Sequence, residues 1–207
     1  HITIENEQLK NENLQTRYNM LANQISPHFL FNSLNSLSML VREKSNDKAL
    51  LYIDRLADTF RYMLQSGQGE LTTLSEELRF TEAYLYLLTI RYENKLFCDI
   101  RIEDRYRDWK LPVLSLQPLI ENAVKHNSIS RTKPLRIAIR TDDGTLVVSN
   151  PLIPKIDETT GTGIGLKNLS SRYLLLTSQQ VRIIRTDDAF EVILPLIESP
   201  NPIKSLS

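Results

Sequence analysis

A proline set between two apolar heptad stretches constrains this chain most. Leu14, Tyr18, Leu21 and Ile25 precede Pro27 in steps of four and three, and Leu30, Leu34, Leu37 and Val41 follow it in a shifted register. Such spacing is the seam of a coiled coil or helical bundle; upstream it meets Asn11, Glu7 and Ile4, so it weakens towards the start. Proline lacks a backbone donor and clashes with the preceding turn, so the helix must kink or restart at residue 27. His28 stands directly behind the break, where its ring is easier to reach. Asn32 lies about one turn further on, on the same helical face. A bent helix with a hydrogen-bonded histidine would show the same residues, so Gln24–Asn35 does not decide the matter alone.

The link Glu43-Lys44-Ser45-Asn46 leads to Asp47, an N-cap candidate for a second helix carrying Leu50, Ile53, Ala57, Phe60 and Leu64. Two helices cannot bury two apolar stripes by themselves, whereas hairpins from two copies form a four-helix bundle. A homodimer through residues 1–66 is therefore expected. Gly67-Gln68-Gly69 then breaks the helix and sets a boundary between domains at 1–68 and 69–197.

In the second domain Thr73 and Glu76 stand at capping-box spacing before a long helix with Leu78, Leu85, Leu88 and Tyr92 on one face. Residues 96–102 alternate as a strand. A short helix is expected at about 115–127, a hairpin turns at Asp142-Asp143-Gly144, a helix follows Gly161-Thr162-Gly163-Ile164-Gly165, and two further strands pair across Asp187-Asp188. Helices mixed with mostly antiparallel strands make an α+β layer architecture. Residues 198–207, rich in Pro and Ser, read as a loose tail.

Apolar residues make up 41% of the 207, enough for a globular core, and 25 Lys and Arg balance 25 Asp and Glu. That balance provides no global field for nucleic acid, so no nucleic-acid partner is expected. Cys98, the single cysteine, excludes an internal disulfide and fits a half-buried strand position in a reducing compartment. No run reaches the roughly 20 apolar residues of a membrane span. The chain begins at His1 rather than methionine, as an excised or processed piece of a longer, membrane-anchored protein would.

Chemistry concentrates in two segments. In Gln117-Pro118-Leu119-Ile120-Glu121-Asn122-Ala123-Val124-Lys125-His126-Asn127, Glu121, Asn122 and Lys125 share one helical face. A carboxylate, an amide oxygen and an ammonium together suit a magnesium nucleotide, although a solvated helix face often looks the same. Glycines 161, 163 and 165 before a helix let backbone N–H groups approach phosphate. Their spacing is neither that of the dinucleotide fingerprint nor that of a P-loop.

Taken with Gln24-Ile25-x-Pro27-His28-Phe29-Leu30-Phe31-Asn32-x-Leu34-Asn35, with Leu116 through His126 and with Gly163-Ile164-Gly165-Leu166-x-Asn168-Leu169, the chain resembles the LytS/YehU-type sensor histidine kinases. The likeness runs from about 20 to 195 and includes Arg61-Tyr62 and Arg91-Tyr92. It implies a helical hairpin forming a dimeric four-helix bundle, followed by an α/β-sandwich ATP-binding domain of Bergerat type. It further implies His28 as phosphoacceptor, Asn122 as Mg²⁺ ligand, Lys125 as a phosphate contact, and Thr162, Gly163 and Gly165 as the glycine box. ATP and Mg²⁺ would be the cofactors, a response-regulator aspartate the acceptor, and the location the cytoplasmic part of an inner-membrane sensor.

Asn32, one turn from His28, would orient a water for dephosphorylating the regulator. Phe29 stands where many histidine kinases carry an acid, which leaves Glu121 as the candidate carboxylate. Asn150 aligns with the aspartate that receives the adenine amino group in the family, and the family's Gly-Thr before the last strand is replaced around Asp188-Ala189. A catalytically weak dimeric signalling module, and an ATPase of the chaperone or topoisomerase group, are the alternatives that remain open.

Overall fold

The computed structural model describes residues 26–65, 70–153 and 164–199. The chain divides into two compact units, residues 1–65 and 66–207. The expected seam at Leu14 to Ile25 and the residues Thr162 and Gly163 lie outside the described residues, as does 200–207.

In the first unit α1 (Pro27–Arg42) and α2 (Asn46–Gln65) form a hairpin. Pro27 stands at the first helical turn, where a missing N–H costs nothing. The link turns through Lys44 at φ 57°, while Glu43 and Ser45 donate their N–H groups to Met39 O and Leu40 O. The helix starts at Asn46, so Asp47 belongs to its first turn rather than capping it.

The contact within one hairpin uses a different set of residues from the two apolar stripes. Phe29, Ser33, Ser36 and Leu40 of α1 are buried, with Ala49, Tyr52, Leu56, Thr59 and Met63 of α2. Small side chains along this stripe let the helices approach closely. Phe29 packs edge-on to Phe60, with ring centroids 6.0 Å apart, so the position after His28 serves the hairpin core. Leu34, Val41, Leu50, Ile53 and Leu64, members of the stripes that one hairpin was not expected to bury by itself, are between 46% and 63% exposed. Sequence periodicity located the larger apolar stripe, which lies on the outer side of the hairpin.

The second unit opens with β1 (Leu71–Thr73), α3 (Leu74–Arg91) and β2 (Leu96–Arg101). The capping box is formed: Glu76 N–H donates to Thr73 Oγ1 at 3.2 Å, and Thr73 N–H donates to Glu76 Oε2 at 3.4 Å. β3 (Lys110–Pro112) pairs antiparallel with β1, an arrangement too short to show as periodicity. Then come α4 (Gln117–His126), β4 (Leu135–Asp142), β5 (Thr145–Pro151), α5 (Ile164–Thr177), β6 (Arg182–Arg185) and β7 (Ala189–Pro195).

Five strands form one sheet in the order β2-β4-β5-β7-β6, with β2 parallel to β4 and the other neighbours antiparallel. Gly144 turns β4 into β5 at φ 75°, and a Cβ there would stand 3.2 Å from the Trp109 ring. Only glycine suits both demands. Leu135, Ile137, Ile139, Leu146, Val148, Val192 and Leu194 are buried. Each such side chain contributes about 1.5–3 kcal/mol when buried. An exposed ion pair such as Asp99–Arg101, at 2.6 Å, contributes about 0–1 kcal/mol. The apolar layer therefore holds the unit. Burial pushes the Cys98 thiol up to about 12, which keeps it protonated at neutral pH.

Candidate functional site

A cavity of about 350 Å³ opens between α4, α5 and the far end of the sheet. Strand register builds its floor. Asn150 of β5 pairs with Phe190 of β7, and Phe190 pairs with Arg185 of β6, so the three form one row across three strands. All three line the cavity, together with Asn122, His126, Leu152, Leu166 and Asp187 among others. The lining is mostly polar, with Leu152, Leu166 and Phe190 as its apolar part.

The start of α4 is held by a residue distant in sequence. Glu77, fully buried on α3, accepts the Leu114 N–H with Oε2 and the Leu116 N–H with Oε1, both at 3.0 Å. Leu116 occupies the N-cap position but has no side-chain acceptor, so Glu77 supplies one from another helix. Leu114, the first of these donors, turns at φ 54°, and its carbonyl accepts Arg172 Nη2 at 2.9 Å. Burial lowers the affinity of Arg172 for its proton, and the charge of Glu77 acts in the opposite direction.

The end of α4 is fixed by Asn127, which is 1% exposed. Its Nδ2 donates to Ala123 O at 2.8 Å, and its Oδ1 accepts the Ile153 N–H at 2.6 Å. The helix is thus tied at its two ends to α3 and to the segment after β5. Asn122 and His126, four residues apart, face the cavity as a result.

Of the residues singled out from sequence, the structure brings Asn122 and Asn150 to the cavity. Asn150 is nearly buried, with Nδ2 donating to Pro151 O at 2.8 Å. Glu121 and Lys125 are exposed and do not line the cavity. Glu121 Oε1 accepts both Tyr84 Oη, at 3.0 Å, and Gln117 Nε2, at 2.9 Å. Burial and the Glu121 charge push the Tyr84 hydroxyl well above its usual range. Gly165 sits in the first turn of α5, where a Cβ would meet only Pro118 Cβ at 4.0 Å. In the first unit His28 is exposed in the first turn of α1. Asn32 is half-buried, and its Nδ2 is buried without a hydrogen-bond partner among the described residues.

Sequence reasoning missed His126, Asn127, Leu152, Leu166, Arg185, Thr186, Asp187 and Phe190 in this lining. His126 and Asn127 could have been found, since they continue the face of Asn122. Strand register brings in Arg185 and Phe190, the β6–β7 turn Thr186 and Asp187, the segment after β5 Leu152, and α5 Leu166.

The donor set suits a magnesium nucleotide. Among the described residues no group of three or more His, Cys, Asp and Glu could cage a metal ion. Magnesium does not need one, because it is commonly held through one or two protein oxygens, phosphate oxygens and water. The Asn122 amide at the cavity carries an oxygen donor of that kind.

Comparison with known proteins places these features. A family model described as histidine kinase matches residues 16–96. The sensor histidine kinase/phosphatase LytS of Staphylococcus aureus strain Mu50 is 35% identical over 166 residues, covering 72% of this chain and 28% of that protein. LytS of strain N315 gives the same figures. The chain thus spans 28% of the length of these relatives. Among solved structures, the cytoplasmic segment of histidine kinase QseC overlaps 74% of this chain and 95% of that one, at TM-score 0.46 and 15% identity. The catalytic domain of histidine kinase ThkA overlaps 61% and 94%, at TM-score 0.42 and 16% identity. Superpositions this loose carry no argument here, and the assignment rests on sequence. The chain belongs to the LytS-type family of sensor histidine kinases.

Proposed function

We propose that this chain is the kinase region of a two-component sensor, which takes the γ-phosphoryl group of MgATP onto His28 and passes it to an aspartate of a response regulator. The observation that supports this most is the cavity lined by Asn122, His126 and Asn150, in a chain that also exposes a histidine at the start of a hairpin. A ring nitrogen of His28 forms the N–P bond as the bond from the γ-phosphorus to the bridging oxygen breaks, and ADP leaves. The imidazole proton is released to a base, for which Glu121 is our candidate. Phosphoryl transfer depends on in-line placement and charge stabilisation more than on covalent help from the protein. Bound Mg²⁺ would neutralise phosphate charge, with the Asn122 oxygen as a ligand. Lys125, Thr162, Gly163 and Gly165 are proposed as phosphate contacts, and Asn150 as a base contact.

Calorimetry tests the nucleotide half of this reading. The protein is expected to bind MgATP, and Asn122→Ala to weaken that binding by about tenfold or more, as loss of a direct metal ligand should. Absence of binding by the wild type would favour a signalling module without catalysis.

Phosphatase activity towards the regulator is assigned to Asn32, whose amide lies one helical turn from His28 on α1. Asn32→Ala should abolish regulator dephosphorylation while His28 remains phosphorylatable; unchanged dephosphorylation would end the idea. The outward stripe of Leu34, Val41, Leu50, Ile53 and Leu64 supports a homodimer through the hairpin, since a second copy would cover it. Light scattering at micromolar concentration should give twice the chain mass of 23.9 kDa, and a monomeric mass would count against the bundle.

A further inference from the structure

The cavity carries a carboxylate that neither the mechanism above nor the family resemblance uses. Among the described residues Asp187 is the one acid lining it. Some of the polar capacity elsewhere in the lining is spent within the protein. Asn127 uses both ends of its amide on Ala123 O and the Ile153 N–H. Asn150 Nδ2 is held by Pro151 O. Thr186 Oγ1 donates to Ala189 O at 3.3 Å and accepts the Ala189 N–H at 3.1 Å. Asp187, by contrast, is exposed and has no hydrogen bond or ion pair among the described residues.

The turn bearing Asp187 is well fixed. Thr186 N–H donates to Ala189 O at 2.9 Å, and Leu152 N–H donates to Asp188 O at 2.8 Å, which ties the turn to the end of β5. Asp187 therefore stands two residues beyond Arg185, at the edge of the row that contains Asn150. A carboxylate repels phosphate, so it marks the end of the cavity away from a triphosphate. It accepts hydrogen bonds only, so it selects a ligand that presents N–H.

We propose that Asp187 reads the exocyclic amino group of the adenine base, supplying from the β6–β7 turn the charge that Asn150 lacks on β5. This rests on the nucleotide reading of the cavity, and makes Asp187 a specificity-determining residue. A hydrogen bond to a charged acceptor is stronger than one to a neutral amide, so base choice should follow Asp187 more than Asn150.

The test compares ATP with inosine triphosphate, which carries an oxo group in place of the amino group, by calorimetry with Mg²⁺ on the whole chain. Wild type should prefer ATP by about tenfold or more, the scale of one charge-assisted hydrogen bond. Asp187→Asn should weaken ATP binding and bring the two affinities within about twofold of each other. Asn150→Ala should lower both affinities and leave their ratio standing. If Asp187→Asn keeps the wild-type ratio, or Asn150→Ala alone removes it, the assignment of Asp187 is overturned while the nucleotide site survives. If wild type binds neither triphosphate, the nucleotide reading itself falls and this inference with it.

Discussion

Glu77→Ala is expected to destabilise the unit 66–207 by about 3–5 kcal/mol, the cost of removing one partner from a buried, hydrogen-bonded charge cluster. The carboxylate serves two backbone donors 37 and 39 residues away, and its loss leaves the buried Leu116 N–H without an acceptor. It also removes the negative charge that offsets the cost of burying Arg172. Leu114 would then hold its left-handed turn without the acceptor that anchors its N–H. The single tryptophan, Trp109, lies in this unit, packed edge-on against Tyr106 with ring centroids 5.0 Å apart. Its fluorescence reports unfolding in urea without contribution from the hairpin. With a slope of about 2 kcal/mol per molar, the midpoint should fall by about 2 M. Glu77→Gln should recover only part of the loss, because its amide presents a donor to one of two backbone donors. A midpoint within about 0.3 M of wild type in the alanine variant would show that α4 is positioned by other contacts.

His28→Gln is expected to remove phosphoprotein labelling from γ-labelled ATP, by more than about a thousandfold, as loss of a nucleophile does. The label on wild type should be acid-labile and stable to base, as a phosphoramidate is. His28 is exposed, so its replacement should change stability by no more than about 0.5 kcal/mol. Calorimetry should show MgATP affinity unchanged, because the cavity lies in the other unit. Equal labelling of wild type and variant would overturn the phosphoacceptor assignment. Sustained phosphate release without any label would instead point to an ATPase.

Local chemistry made much of this fold legible. The capping box at Thr73 and Glu76, the turn at Asp143-Gly144 and the alternation of Leu135, Ile137 and Ile139 each act over a few residues, and each formed as read. The contact within the hairpin was not legible, because hydrophobicity locates the richest stripe, whereas Ser33, Ser36 and Ala49 are among the residues buried between the helices. In the cavity, Asn122 was legible because its motif is continuous. The roles of Glu77, Arg185 and Asp187 depend on contacts across tens of residues and on strand register, which no local pattern encodes.

The strand order also bears on solubility. Among the described residues the open sheet ends in two strands paired on one side only, β2 and β6, and such edges present free backbone groups to a passing extended chain. Charge guards both borders: Asp99 and Arg101 on β2, and Arg182 and Arg185 flanking Ile183 and Ile184 on β6. A foreign strand docking there would have to desolvate these groups, so the borders oppose edge-to-edge aggregation while the apolar helices of the hairpin remain available for specific assembly.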